Sequence, residues 1–165
     1  MENPKILMKL KYGDVKIELF KDVSPNHVAR ILELVNNGSY NGVAFHRVID
    51  GFMAQTGDVK HGNTKKGFNP GMVGTGGSDL PDLKAEFNDI PHERGILSMA
   101  RSMSPDSANS QFFICFASHP HLDRQYTVFG KVLSGMEFVD QIKKGASGSG
   151  SVDQPDIIES ITELK

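Results

Sequence analysis

The sequence predicts a mainly β fold: an antiparallel sheet closed into a barrel, with helices over its ends. Two observations carry this expectation. Seven or eight segments read as strands, most by apolar-polar alternation, while only two short segments repeat apolar residues at helical spacing. Strand and helix patterns do not alternate along the chain, which argues against a parallel sheet and for a closed antiparallel one. At 165 residues the chain is expected to form a single domain, 1–165, long enough to bury a sizeable core.

In chain order, Ile6, Met8 and Leu10 alternate with lysines. After Tyr12-Gly13, Val15, Ile17 and Leu19 alternate with Asp14, Lys16 and Glu18, so a hairpin with one buried and one wet face is expected. Ser24-Pro25 offers a helix N-cap and a proline at the first helical position. Val28, Ile31, Leu32 and Val35 recur at helical spacing up to Gly38, placed to end the helix. A second hairpin is expected over 45–58. Residues 59–88 are polar and glycine-rich and read as a long ordered loop. Strands are expected over 95–100, 110–116 and 126–132, with a loop over 101–109. In the second of these, Phe112, Ile114 and Phe116 fall on one face and Gln111, Phe113 and Cys115 on the other. Residues 134–144 read as a short helix, 146–155 as a flexible Gly/Ser linker and 157–164 as the last strand.

The hairpin over 45–58 is the stretch the rest is organised around. Asp50-Gly51-Phe52 has the residues of a tight turn. If Ile49 and Met53 close a three-residue loop, Arg47 falls opposite Gln55, and residues opposite each other in a ladder project from the same face. A slip of one residue would separate them. A permanent cation and an amide would then share a surface beside Phe52 and Met53.

Composition narrows the functions. Lys and Arg total 18 against 20 Asp and Glu, a net charge of -2, with no basic run, so no nucleic-acid partner is expected. No apolar stretch has membrane-spanning length. A single cysteine and a start without a charged and apolar leader give a cytoplasmic expectation. Gly74-Thr75-Gly76-Gly77 lacks the spacing of a dinucleotide fingerprint, no Gly-Lys-Ser/Thr follows Gly150, and no Gly-x-Ser-x-Gly elbow occurs. His119 and His121 lack a third ligand at metal spacing and read as a surface loop; no metal or cofactor is expected. Cys115 reads as a small packing residue.

Phe45-His46-Arg47-Val48-Ile49 with Gly51-Phe52-Met53-Ala54-Gln55-Thr56-Gly57-Asp58 resembles the signature of the cyclophilin family of peptidyl-prolyl cis-trans isomerases. The likeness continues through Gly74–Gly77, Gly95–Ala100, Ser110–Ile114 and Val128–Val132, nearly the whole chain in order; the loop between Asp58 and Gly74 and the run from Ser78 to Phe87 resemble the bacterial branch. The resemblance implies an eight-stranded closed antiparallel barrel capped by two α-helices. It also implies rotation about X-Pro bonds in flexible chains, assisting folding as a monomer. By position, the implied catalytic group is Arg47 with Gln55 and Phe113. The implied substrate wall is His46, Phe52, Met53, Gly74, Ala100, Arg101, Ser102, Gln111, His121, Leu122 and Tyr126. Four of these depart from the common family pattern: His121 stands for tryptophan, Tyr126 for histidine, Arg101 for asparagine and Ser102 for alanine. His121 implies weak cyclosporin binding. The alternative is a non-catalytic proline-peptide module or holdase of the same fold, but pure binding would need the pocket and not Arg47. A hollow lipocalin-like carrier fits poorly with Phe112, Ile114 and Phe116 filling the interior.

Overall fold

The computed structural model describes residues 2–164; residues 1 and 165 of the expected domain lie outside them. Eight antiparallel strands form one sheet: β1 (Lys5–Leu10), β2 (Gly13–Leu19), β3 (Arg47–Ile49), β4 (Met53–Thr56), β5 (Ile96–Met99), β6 (Phe112–Cys115), β7 (Val128–Ser134) and β8 (Ser160–Leu164). Their order across the sheet is β3-β4-β6-β5-β7-β2-β1-β8.

The sheet is not the closed barrel the sequence predicts. It is an open, curled half-barrel in which β3 and β8 are the two end strands and share no ladder with each other. The chain after the last helix occupies the seam instead, bonding as irregular backbone. Val48 N donates to Gly150 O (2.8 Å), Gly145 N to Val48 O (2.8 Å), Val152 N to His46 O (3.1 Å) and Phe45 N to Asp156 O (2.8 Å). A segment rich in glycine and serine has no side chains to build a ladder face, so it satisfies the β3 edge without becoming a strand. The same contacts correct the expectation of a flexible linker over 146–155. Gly150 has φ +76, and a Cβ there would stand 2.5 Å from Ile49 Cγ1, so only glycine lets the chain pass this close.

The curled sheet closes over a filled core. Phe112, Ile114 and Phe116 point into it with Phe45, Phe129, Met8, Ile17 and Leu97, nearly all without solvent contact. The alternation on β6 puts Phe113 and Cys115 on the outer face, in a separate apolar cluster with Met53 and Leu122.

Helix α1 (Pro25–Asn36) buries Val28, Ile31, Leu34 and Val35. Ser24 stands at its N-cap but does not cap it, since the hydroxyl donates to Phe20 O. The carboxylate of Glu86, in the long loop, accepts from the amides of Asn26 (3.2 Å) and His27 (2.9 Å) in its place. An anion there also meets the positive end of the helix dipole. The second helix is shorter than the expected 134–144. Helix α2 spans only Met136–Val139, starting after Gly135 at φ +93. Past Asp140, which Arg94 holds by two bonds, Lys143 N turns away to Asp156. The last strand likewise begins only at Ser160.

Candidate active site

The β3–β4 hairpin forms in the predicted register, with Ile49 opposite Met53 and Arg47 opposite Gln55. Gly51, at φ +74, makes the turn, and Phe52 N closes it on Ile49 O at 3.0 Å. Two further pairings extend the row: Gln55 faces Phe113 on β6, and Phe113 faces Ser98 on β5. Directly opposed residues share a face, so Arg47, Gln55, Phe113 and Ser98 stand side by side across four strands on the outer face of the sheet, exposed at Arg47 and buried at Phe113 and Ser98.

A cleft of ≈ 410 Å³ opens over this row. Phe52, Met53, Phe113 and Leu122 make its apolar part, Tyr126 and Ala100 flank them, and His46, Arg47 and Gln55 form the polar wall. Leu122 arrives on a 3₁₀ turn, Pro120–Leu122, that the sequence pattern did not reveal. A second cleft of ≈ 600 Å³ shares Gln55, Gly74, Ala100 and Arg101 with the first and continues past Ser102 and Gln111. His121 lines neither cleft; its ring lies 6.1 Å from that of Phe52, centre to centre.

Arg47 is not enclosed among aromatics but exposed at the cleft rim. Two bonds orient it: Nε donates to Ser149 O at 3.1 Å, and one Nη to Gln55 Oε1 at 3.4 Å. Gln55 Nε2 donates to Gln111 Oε1 (3.0 Å), and Gln111 Nε2 to the carbonyls of Gly74 (3.0 Å) and Gly76 (2.9 Å). The guanidinium is thus the end of an amide chain that reaches the glycine-rich loop. That loop is fixed from below by Asp58, fully buried, whose carboxylate accepts from Gly74 N (2.8 Å) and Gly76 N (3.0 Å). Arg101 lies over the Tyr126 ring at 4.6 Å and donates to Gln125 O through Nε (2.9 Å) and Nη2 (2.7 Å), tying the junction of the two clefts.

Burial sets the ionisation here. His46 is buried, and loss of solvent lowers its proton affinity from the ordinary histidine value, keeping the ring neutral at neutral pH. Burial pushes the Cys115 thiol up to about 12, which leaves no thiolate for nucleophilic chemistry. Among the described residues no three His, Cys, Asp or Glu side chains gather as metal ligands.

Sequence reasoning missed several contributors. Ser149 and Ser151 come from the supposed linker, and Pro70, Val73 and Thr75 from the long loop. Asp58 was visible as an acid beside Gly57, but nothing in the chain announces its burial. His92 gave no signal at all. It lies beneath Phe113, with its Nδ1 3.0 Å from Asp123 and its Nε2 2.9 Å from Ser98 Oγ.

The sheet interior is filled, and the open apolar slot lies on the outer face beside an oriented guanidinium. The family model described as cyclophilin type peptidyl-prolyl cis-trans isomerase/CLD matches residues 5–163, and the chain belongs to that family. A protein of Brucella suis named "Probable peptidyl-prolyl cis-trans isomerase" is 60% identical over 158 residues, covering 95% of this chain and 81% of that one. The human "Peptidyl-prolyl cis-trans isomerase-like 3" is 40% identical over 136 residues, covering 80% of this chain and 77% of its own. Among solved structures, a Cryptosporidium parvum cyclophilin type isomerase, crystallised in the presence of the dipeptide Ala-Pro, superposes with a TM-score of 0.82 at 30% identity, covering 98% of this chain and 99% of that chain. The protein is therefore a peptidyl-prolyl cis-trans isomerase.

Proposed function

We propose that Arg47 is the catalytic donor of this isomerase, with Gln55 and Phe113 acting beside it. Phe52, Met53, Leu122, His46 and Tyr126 enclose the prolyl ring, and Gly74, Ala100, Arg101, Ser102 and Gln111 receive the residues that precede it. His121 acts only through Phe52. One observation carries this reading: the guanidinium is held at Nε and at one Nη, so its other terminal nitrogen is left to donate over the apolar cleft.

The chemistry follows from the amide. Rotation about X-Pro is slow because of a barrier of about 18–20 kcal/mol. Bringing exchange from about 10–100 s to milliseconds needs about 7 kcal/mol of stabilisation confined to the transition state. In the twisted state the prolyl nitrogen turns pyramidal and regains a lone pair, which the planar ground state lacks. A donor aimed at it binds the transition state selectively. A charge-assisted hydrogen bond nets about 1.5–3 kcal/mol, so Arg47 supplies part of the effect. The apolar wall supplies the rest by anchoring the ring and stripping water from the amide while the preceding carbonyl swings.

The substrates on this reading are exposed prolyl bonds of unfolded or flexible polypeptides, and the role is assistance to folding by a monomer in the cytoplasm. The 60% identity to the Brucella protein supports the bacterial branch. Cyclosporin binds weakly, because His121 offers a smaller surface than the indole common in the family; calorimetric titration giving low-nanomolar affinity would refute this. The test of the reaction itself is a protease-coupled isomerisation assay on a short Ala-Pro peptide. Arg47→Ala is expected to lower kcat/KM roughly 100- to 1,000-fold with the melting temperature unchanged. Full activity in that variant would remove Arg47 from the reaction.

A further inference from the structure

We propose that His92, outside both clefts, is a positioning residue for the prolyl pocket: its imidazole joins the turn carrying Leu122 to the strand beneath Phe113 and supports the Phe113 ring from behind. The proposal rests on the reading of Phe113 and Leu122 as the prolyl wall.

His92 is 1% exposed, and each polar atom of its ring has a partner. Asp123 Oδ1 accepts from the His92 backbone N at 2.7 Å and lies 3.0 Å from Nδ1, while Nε2 lies 2.9 Å from Ser98 Oγ. The carboxylate fixes the tautomer: Nδ1 carries the hydrogen and Nε2 accepts from the Ser98 hydroxyl. The ring stacks on Phe113 at 6.2 Å with an interplanar angle of 20° and meets the edge of Tyr126 at 6.5 Å. The backbone completes the link, since His119 N donates to His92 O at 2.8 Å, one residue before the 3₁₀ turn that carries Leu122. One buried side chain thus touches the supports of three pocket residues: Phe113, Leu122 and Tyr126. Asp123, His92 and Ser98 have the connectivity of a hydrolase triad, but Ser98 is fully buried and no carbonyl can reach its oxygen. The trio is a strut.

The strut works only while the ring is neutral. Protonation would make Nε2 a donor and force the Ser98 hydroxyl, which has no other partner among the described residues, to turn its hydrogen away. It would also place a charge beside Phe113 in a buried site, where desolvation disfavours it. The groups around the ring oppose one another. Burial and the neighbouring His119 and His121 hold its proton affinity below the ordinary value, and Asp123 raises it. Arg124 lies beside Asp123 on the same turn, the Tyr126 ring meets the imidazole edge-on, and burial keeps the nearby Cys115 thiol protonated at neutral pH.

The test measures kcat and KM against pH on the short Ala-Pro peptide for the wild type, Asp123→Asn, His92→Phe and Phe113→Ala. In the wild type kcat/KM should fall on the acid side with a midpoint below 6.5. Removing the Asp123 charge should move that limb to still lower pH, an outcome that a merely structural role for Asp123 would not produce. His92→Phe keeps the stack but cuts both hydrogen bonds; it should raise KM roughly 3- to 10-fold with kcat nearly unchanged and abolish the limb. If these variants misfold, nuclear magnetic resonance on the wild type decides the matter, because the Phe113 ring resonances should shift with the His92 midpoint. A limb unmoved by Asp123→Asn, or Phe113 resonances blind to His92, overturns the proposal. Should Phe113→Ala leave KM and kcat unaltered, the pocket assignment itself has failed, whatever His92 does.

Discussion

Strand β6 has two faces, and they serve different ends. Inward, Phe112, Ile114 and Phe116 join a core with neighbours on every side. Outward, Phe113 and Cys115 belong to a cluster of four buried residues whose other side is the open cleft. Phe112 and Phe113 are almost equally hidden, at 2% and 5% exposed. Burial alone therefore does not separate a residue that holds the fold from one placed to meet a ligand. What separates them is whether the space beyond the ring is filled with protein or left empty.

The sharpest way to break that contrast is to truncate each ring. Phe112→Ala should lose about 3–5 kcal/mol of stability, read by urea unfolding, because Tyr40 and Phe129 pack edge-on against that ring and cannot close the gap. Phe113→Ala should lose less stability and chiefly raise KM. Equal losses of stability would erase the distinction. A smaller effect tests the helix that covers the inner face: Glu86→Ala removes the distant cap of α1 and should cost about 1 kcal/mol, with KM unchanged.

The smallest effect comes from pH. Burial lowers the proton affinity of His27, His46 and His92 in the folded chain. As pH falls through about 6.5 the unfolded chain takes up these protons first, so the folded state is disfavoured progressively. The loss is complete only below the lowered native values. Urea midpoints should therefore be flat above neutrality and decline as pH falls below about 6.5; a profile that stays flat there would mean that these rings stay solvated.

What the sequence could reveal follows the range of each interaction. The register of the β3–β4 hairpin was legible because a short turn and a period of two decide it locally. The faces of β6 were legible for the same reason. The row from Arg47 to Ser98 was not, since β4 meets β6 and β6 meets β5 across long loops whose register no local rule sets. The closed barrel failed because strand counting cannot say whether the first and last edges meet; here loop backbone fills the gap. Glu86 escaped as a helix cap, and His92 as a strut, because each partner lies far along the chain or is concealed by packing. Within the cleft, the positions implied by the family resemblance lie together around Arg47 and Phe113, apart from His121, which borders Phe52.

The loop beside Arg47 offers a practical opening. Ser149 reaches the guanidinium through its main-chain oxygen, and the residue is exposed, its hydroxyl accepting from Ser151 N at 3.2 Å. The one native thiol is buried, and burial pushes its pKa up to about 12, which disfavours alkylation, so Ser149→Cys would carry a fluorophore at the rim of the cleft to report peptide capture in real time.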